Sequence, residues 1–147
     1  MKVVIQRSLA SHVEVDKKII GLIDQGLVLL VGFTKGDNEK TIDLVINKIL
    51  NLRIFDDENG IMNKSILDVG GSILSISQFT LYADIKKGRR PSYVNALNRE
   101  EAIKLYDLFN KKLSEKINVE TGIFGADMRV SITNDGPVTI ILESEDL

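Results

Sequence analysis

A chain with no cysteine and one histidine has few conventional ways to activate a nucleophile. Thiol catalysis and cysteine-ligated zinc are excluded, as is a multi-histidine metal site, and a serine triad would have only His12 to build on. Chemistry must be sought instead in hydroxyls, amides and main-chain groups. Ser77-Gln78-Phe79-Thr80-Leu81 closes an apolar segment and offers hydroxyls, an amide and backbone N–H groups to a small ligand. Its plain reading is the solvent rim of a strand, with Gln78 and Thr80 on one face and Ser77 and Phe79 on the other. Asn134-Asp135-Gly136-Pro137-Val138-Thr139 reads from spacing as a β-turn, because Asp-Gly and Gly-Pro are strong turn signals. Proline also interrupts a strand ladder, and an X–Pro bond is where a cis peptide costs least. A cis Gly-Pro would turn its carbonyl oxygens to one side with no side chain in the way.

Two further segments carry charge or glycine. Lys86-Lys87-Gly88-Arg89-Arg90 places four cations in five positions on a loop, either as a solvated face or as a phosphate-contacting patch. Gly122-Ile123-Phe124-Gly125-Ala126 lacks the third glycine and the strand-to-helix setting of a dinucleotide fingerprint. It reads as a glycine-lined approach to a site. No phosphate-binding loop pattern occurs, so no cofactor is expected. His12 falls in an opening strand and reads as a surface or structural residue.

The elements that must position these groups follow from periodicity. Val3, Ile5, Val13 and Val15 alternate with polar residues as strands do, and Lys17-Lys18 marks a turn. Ile19 to Ile23 is a short strand, and Leu27 to Phe33 is a continuous apolar run expected of a strand covered on both faces. Ile42, Val45, Ile46, Ile49 and Leu50 form one helical face, with Asp37 or Asn38 as N-cap. Asn98 and Glu101 have capping-box spacing ahead of a second stripe: Ala102, Leu105, Tyr106, Phe109 and Leu113. Between the helices lie a turn at Asp57-Glu58-Asn59-Gly60 and a strand over Ile73 to Tyr82. Met128 to Ile132 and Val138 to Leu142 alternate again. The order is β-rich, βα, βα, β-rich, which predicts an α/β fold with two main helices layered on one side of mixed β-sheet.

At 147 residues and 44% hydrophobic composition the chain suits one domain, residues 1–147, with a self-supporting core. Its net charge of −2 means that nucleic-acid affinity must come from a local patch. Neither a signal peptide nor a bilayer-length apolar run is visible, so a cytoplasmic protein with no membrane partner is expected.

Together these motifs resemble the D-aminoacyl-tRNA deacylase family. Val4-Ile5-Gln6-Arg7, Leu52-Arg53-Ile54-Phe55, Glu58-Asn59-Gly60 and Met62-Asn63 are similar to it in order and spacing. So are Ser77 to Leu81, Gly88 to Ser92, Gly122 to Met128 and Asn134 to Thr139. Ser8, Ser11 and Tyr93 depart from the usual Val, Ala and Phe, outside the two signature motifs. The resemblance implies a homodimer of three-layer α/β/β fold that hydrolyses the ester joining a D-amino acid, or glycine, to the terminal adenosine of tRNA. It implies that Ser77, Gln78, Phe79 and Thr80 line the catalytic pocket, with backbone N–H groups around Phe79 and Thr80 near the reacting carbonyl. It further implies that Gly136-Pro137 is a cis dipeptide entering the partner's pocket to reject L-amino acids, and that Phe124 and Met128 border the adenosine. Lys86, Lys87, Arg89 and Arg90 are the expected tRNA phosphate contacts; no metal and no DNA partner is expected. The competing reading is a non-catalytic RNA-binding or interaction module that uses the Lys86–Arg90 loop. Against it stands an aromatic content of only 5% with no tryptophan, since such modules usually stack bases on aromatic platforms.

Overall fold

The computed structural model describes residues 1–147. Strands β1 (Lys2–Ser8), β2 (Ser11–Val15), β3 (Lys18–Ile23) and β4 (Gly26–Gly32) precede helix α1 (Glu39–Asn51). Next come β5 (Phe55–Asp56), β6 (Met62–Lys64), β7 (Ser72–Ser77) and helix α2 (Arg99–Ser114). Strands β8 (Val119–Thr121), β9 (Arg129–Ser131) and β10 (Asn134–Glu143) follow. Five strands form a mixed sheet in the order β10-β1-β4-β7-β8, antiparallel on the β10 side and parallel from β4 to β8. A second sheet has the order β3-β2-β9.

The apolar run of β4 shows why three layers are needed. Leu27, Leu29 and Val31 point into a core shared with both helices, while Val28 points into a second core with Val13 and Ile23 of the small sheet. Both faces of β4 are covered, so no alternation survives in its sequence. The helices close one side: α1 buries Ile42, Val45, Ile46, Ile49 and Leu50, and α2 buries Ala102, Tyr106, Phe109 and Leu113. Asn38 caps α1 by accepting from the N–H groups of Lys40 and Thr41, and Asn98 caps α2 through the Glu101 N–H. The architecture is the expected α/β/β, with Asn38 rather than Asp37 as the cap.

Three local expectations need correction. The first hairpin turns at Asp16-Lys17, not Lys17-Lys18; both residues have positive φ, and Val15 pairs with Lys18 across a two-residue loop. The strand expected over Ile73 to Tyr82 stops at Ser77, and Phe79–Tyr82 is a 3-10 turn. The cause is the neighbouring strand. Val31↔Ser77 is the last β4–β7 pair, and beyond it a side chain on Gly32 would meet the Gln78 carbonyl oxygen at 2.9 Å. The chain crosses over that bare glycine. The segment Asn134 to Thr139 is not a β-turn but the first part of β10. Its pairing with β1 jumps from Gln6↔Thr139 to Ser8↔Asn134, so Asp135 to Val138 bulge out opposite Arg7. Pro137 is tolerated there because β10 is the sheet's outer strand.

Candidate active site

A cavity of about 490 Å³ opens between the end of β7, the start of α2 and the segment joining β8 to β9. Ser77, Gln78 and Phe79 form one wall; Phe124, Gly125, Ala126 and Met128 form the facing one; Leu97, Arg99 and Ala102 close the third side. Eight of the twelve lining residues are hydrophobic, which suits a ligand held largely by shape and contact. The β7 strand supplies its wall because its ladder ends at the cavity. Gln78 donates its N–H to the Val31 carbonyl at 2.7 Å, and the 3-10 turn starts at once. The first two N–H groups of that turn, on Phe79 and Thr80, have no carbonyl within it to bond and no side chain capping them. They are available to a developing negative charge.

The two facing walls are tied by one buried hydroxyl. Tyr106, only 3% exposed, donates to the Ser75 carbonyl at 2.8 Å, and that oxygen also accepts the Gly122 N–H at 3.3 Å. Ser75 lies two residues before the β7 wall, and Gly122 begins the other wall, where Met128 packs over it. The Tyr106 ring also meets Phe124, with centroids 5.8 Å apart. Burial pushes the Tyr106 hydroxyl above its ordinary range, with its hydrogen bond to Ser75 working the other way. It remains a neutral donor.

Not every expected residue reaches the cavity. Thr80 is absent from the lining; its hydroxyl accepts from the Gln78 side-chain amide at 2.5 Å. That bond replaces the strand-face relationship expected of the pair. Gly136 and Pro137 are exposed on the β10 bulge and lie outside this cavity; the bond between them is cis. Arg7 braces the bulge, with its Nε 3.0 Å from Asp135 Oδ2, and Asn134 donates to the carbonyls of Arg7 and Val138 at 3.0 Å. Lys86, Lys87, Arg89 and Arg90 are exposed on a loop closed by paired bonds between Asp84 and Ser92. They do not line the cavity, but Tyr93 at the loop's base packs edge-on against Phe79, with centroids 5.0 Å apart. His12 is on β2, its Nε2 3.1 Å from Glu14 Oε1, and is not a lining residue. The departures at Ser8 and Ser11 form a buried hydroxyl pair, and Ser11 also accepts the Thr133 N–H.

Sequence reading missed Leu97, Arg99 and Ala102. Its spacing puts Ala102 on the core stripe of α2, and no periodicity gives Leu97 an element. Arg99 left a signal: it is the first residue of α2, where the helix dipole favours acids, yet a cation stands there. It is the only ionisable side chain lining the cavity.

The family model described as D-Tyr-tRNA(Tyr) deacylase matches residues 4–143. The chain belongs to that family. A D-aminoacyl-tRNA deacylase of Clostridium tetani is 58% identical over 146 residues, covering 99% of this chain and 98% of the other. One from Brevibacillus brevis is 57% identical over 145 residues, covering 98% and 100%. Among solved structures, one titled c-Myc DNA Unwinding Element Binding Protein superposes with a TM-score of 0.92 at 40% identity, covering 97% of this chain and 98% of that one. A probable eukaryotic D-amino acid tRNA deacylase superposes with a TM-score of 0.83 at 17% identity, covering 96% and 97%, which speaks for the fold alone. Family membership makes the chain an enzyme, a hydrolase acting on aminoacyl-tRNA. The cavity has the matching chemistry, with an apolar bed, the uncapped start of a 3-10 turn at its edge and no side-chain base among its lining residues.

Proposed function

We propose that this cavity hydrolyses the ester linking a D-amino acid, or glycine, to the terminal adenosine of tRNA. The chain works as one domain, residues 1–147, within a homodimer in the cytoplasm. The observation that carries the reading is the pairing of unused N–H groups on Phe79 and Thr80 with an apolar cavity that holds no general base. An aminoacyl ester is already reactive, so holding it and stabilising the developing oxyanion is worth several kcal/mol without a protein nucleophile. The neighbouring 2′-hydroxyl of the RNA orients or activates the water. Phe124 and Met128 border the adenosine, while Ser77, Gln78 and Phe79 flank the ester. Thr80 contributes its N–H; its hydroxyl already accepts a bond from Gln78 and has no base beside it.

Chirality is set by Gly136-Pro137 reaching the cavity of a second copy. The dipeptide projects from the sheet edge and lies outside its own chain's cavity, which favours an action in trans. The outward side of β10 has no strand partner, and Ile141 on it is 68% exposed, a surface suited to a second copy. Bare carbonyls at the dipeptide accept the substrate's amino group, and the same wall leaves no volume for an L side chain. Glycine has nothing to clash and is hydrolysed. The loop cations Lys86, Lys87, Arg89 and Arg90 follow the tRNA backbone away from the rim that Tyr93 and Phe79 form.

The test is paired deacylation of D- and L-tyrosyl-tRNA, with glycyl-tRNA alongside. D-tyrosyl and glycyl esters are cleaved and L-tyrosyl is spared; binding without ester loss would return the protein to the class of RNA-binding modules. Thr80→Ala keeps most of kcat, whereas a trapped acyl-enzyme on Thr80 would overturn the mechanism. Neutralising the four loop cations raises KM and flattens its salt dependence.

A further inference from the structure

Arg99 carries a feature that ester hydrolysis does not use. Its guanidinium makes no ion pair and no hydrogen bond, although the chain has more acidic than basic side chains. It stands at the first position of α2, where the helix dipole disfavours a cation. Neither an ion pair nor the helix dipole accounts for its place there. The fold nevertheless makes room for it. Gly125 has φ +74°, and a Cβ at that position would fall 2.5 Å from Nη1 and 2.7 Å from Nη2. The guanidinium thus lies against bare backbone, with its carbon 6.0 Å from the centroid of the Phe124 ring.

We propose that Arg99 is an anion site at the mouth of the cavity that takes the 5′-phosphate of the nucleotide whose adenosine lies against Phe124. This rests on the nucleoside reading of the cavity given above. A nucleoside in an apolar, aromatic-walled pocket carries its phosphate outward, towards water. The one charged group lining the pocket is a guanidinium, whose planar fork of donors matches a phosphate's oxygens. Its contribution is to the binding and registration of the RNA's 3′ end rather than to the bond that breaks. One residue would then read a single phosphate close to the chemistry, while the exposed loop reads others further away.

Binding of adenosine 5′-monophosphate and of adenosine, measured by calorimetry or NMR titration, tests the site without requiring turnover. The wild type should bind the monophosphate about tenfold more tightly than the nucleoside, the scale of one charge-assisted contact. Arg99→Ala should abolish that preference while leaving adenosine binding unchanged, and Arg99→Lys, which keeps charge without the fork, should restore part of it. In deacylation, Arg99→Ala should raise KM for D-tyrosyl-tRNA about tenfold at constant kcat, with no effect on 2′(3′)-O-D-tyrosyl-adenosine, which lacks the phosphate. Equal affinity of the wild type for monophosphate and nucleoside would overturn the proposal, as would equal losses on both esters, which would make Arg99 a support for Phe124. Loss of phosphate preference without any deacylase activity in the wild type would leave the anion site standing and sink the hydrolase reading instead.

Discussion

Helix α2 has a cation towards each end, and their surroundings differ in every respect. Lys112, in the last turn, lies 2.7 Å from both Glu39 and Asp43 of α1, so it joins the two helices and suits the negative pole of the dipole. Arg99, in the first turn, has no carboxylate partner, opposes the dipole and hangs over an apolar cavity. Between them the helix buries Ala102, Tyr106, Phe109 and Leu113. One end therefore obeys the rules of helix stability and belongs to the framework. At the other end Asn98, Glu100 and Glu101 obey them too, and Arg99 alone departs, at the point where the helix meets the cavity. A cation standing where local energetics disfavours it is a better pointer to a binding site than one standing where they welcome it.

The contrast can be broken at graded cost. Phe109→Ala strikes the buried middle, where the ring is fully covered, and should lower unfolding free energy by about 3–5 kcal/mol in urea titrations. If the loss were under about 1 kcal/mol, α2 would not be the framework element described. Tyr106→Phe removes only the hydroxyl that bonds the Ser75 carbonyl. It should cost about 1 kcal/mol and lower kcat several-fold, because the two cavity walls lose their common tie. An unchanged kcat in the folded variant would show that Gly122 alone holds them.

The helix ends give the smallest and most diagnostic effects. Arg99→Ala should leave stability unchanged or raise it by about 0.3–1 kcal/mol, since it removes a cation from the positive pole. Lys112→Met should lower it slightly. The hydrogen bonds that the Lys112 ammonium donates to Asp43 and Glu39 push it from 10.5 up to about 12. A raised folded-state value means that the stabilisation is fully present below about 10.5 and disappears as pH climbs through about 12. Thermal melts of wild type and Lys112→Met should therefore differ at neutral pH and converge in strong alkali. A destabilised Arg99→Ala with an unaffected Lys112→Met would reverse the comparison.

Much of this was legible in the chain before any coordinates. Two helices with their caps, the doubly covered strand Leu27 to Phe33 and the family resemblance all rest on spacing and residue type. Such information is local: a cap acts on N–H groups two or three residues ahead, and a helical stripe repeats within one element. The shortage of nucleophiles was equally plain, because a residue count needs no structure.

What tertiary structure alone decided depends on partners distant in sequence. Ser77 ends its strand because β4 stops at Gly32, more than forty residues earlier, and only the parallel register between the strands brings the two together. Asn134 to Thr139 looked like a turn because Asp-Gly and Gly-Pro are turn signals locally. Pairing with β1 makes the segment a bulged outer strand instead, with Gly136-Pro137 exposed and outside the lining of its own cavity. Arg99 offered no motif, and its role emerges only where the start of α2, Phe124 and bare Gly125 converge. Periodicity and capping are written along the chain, but a cavity is written in the register that brings separate segments together.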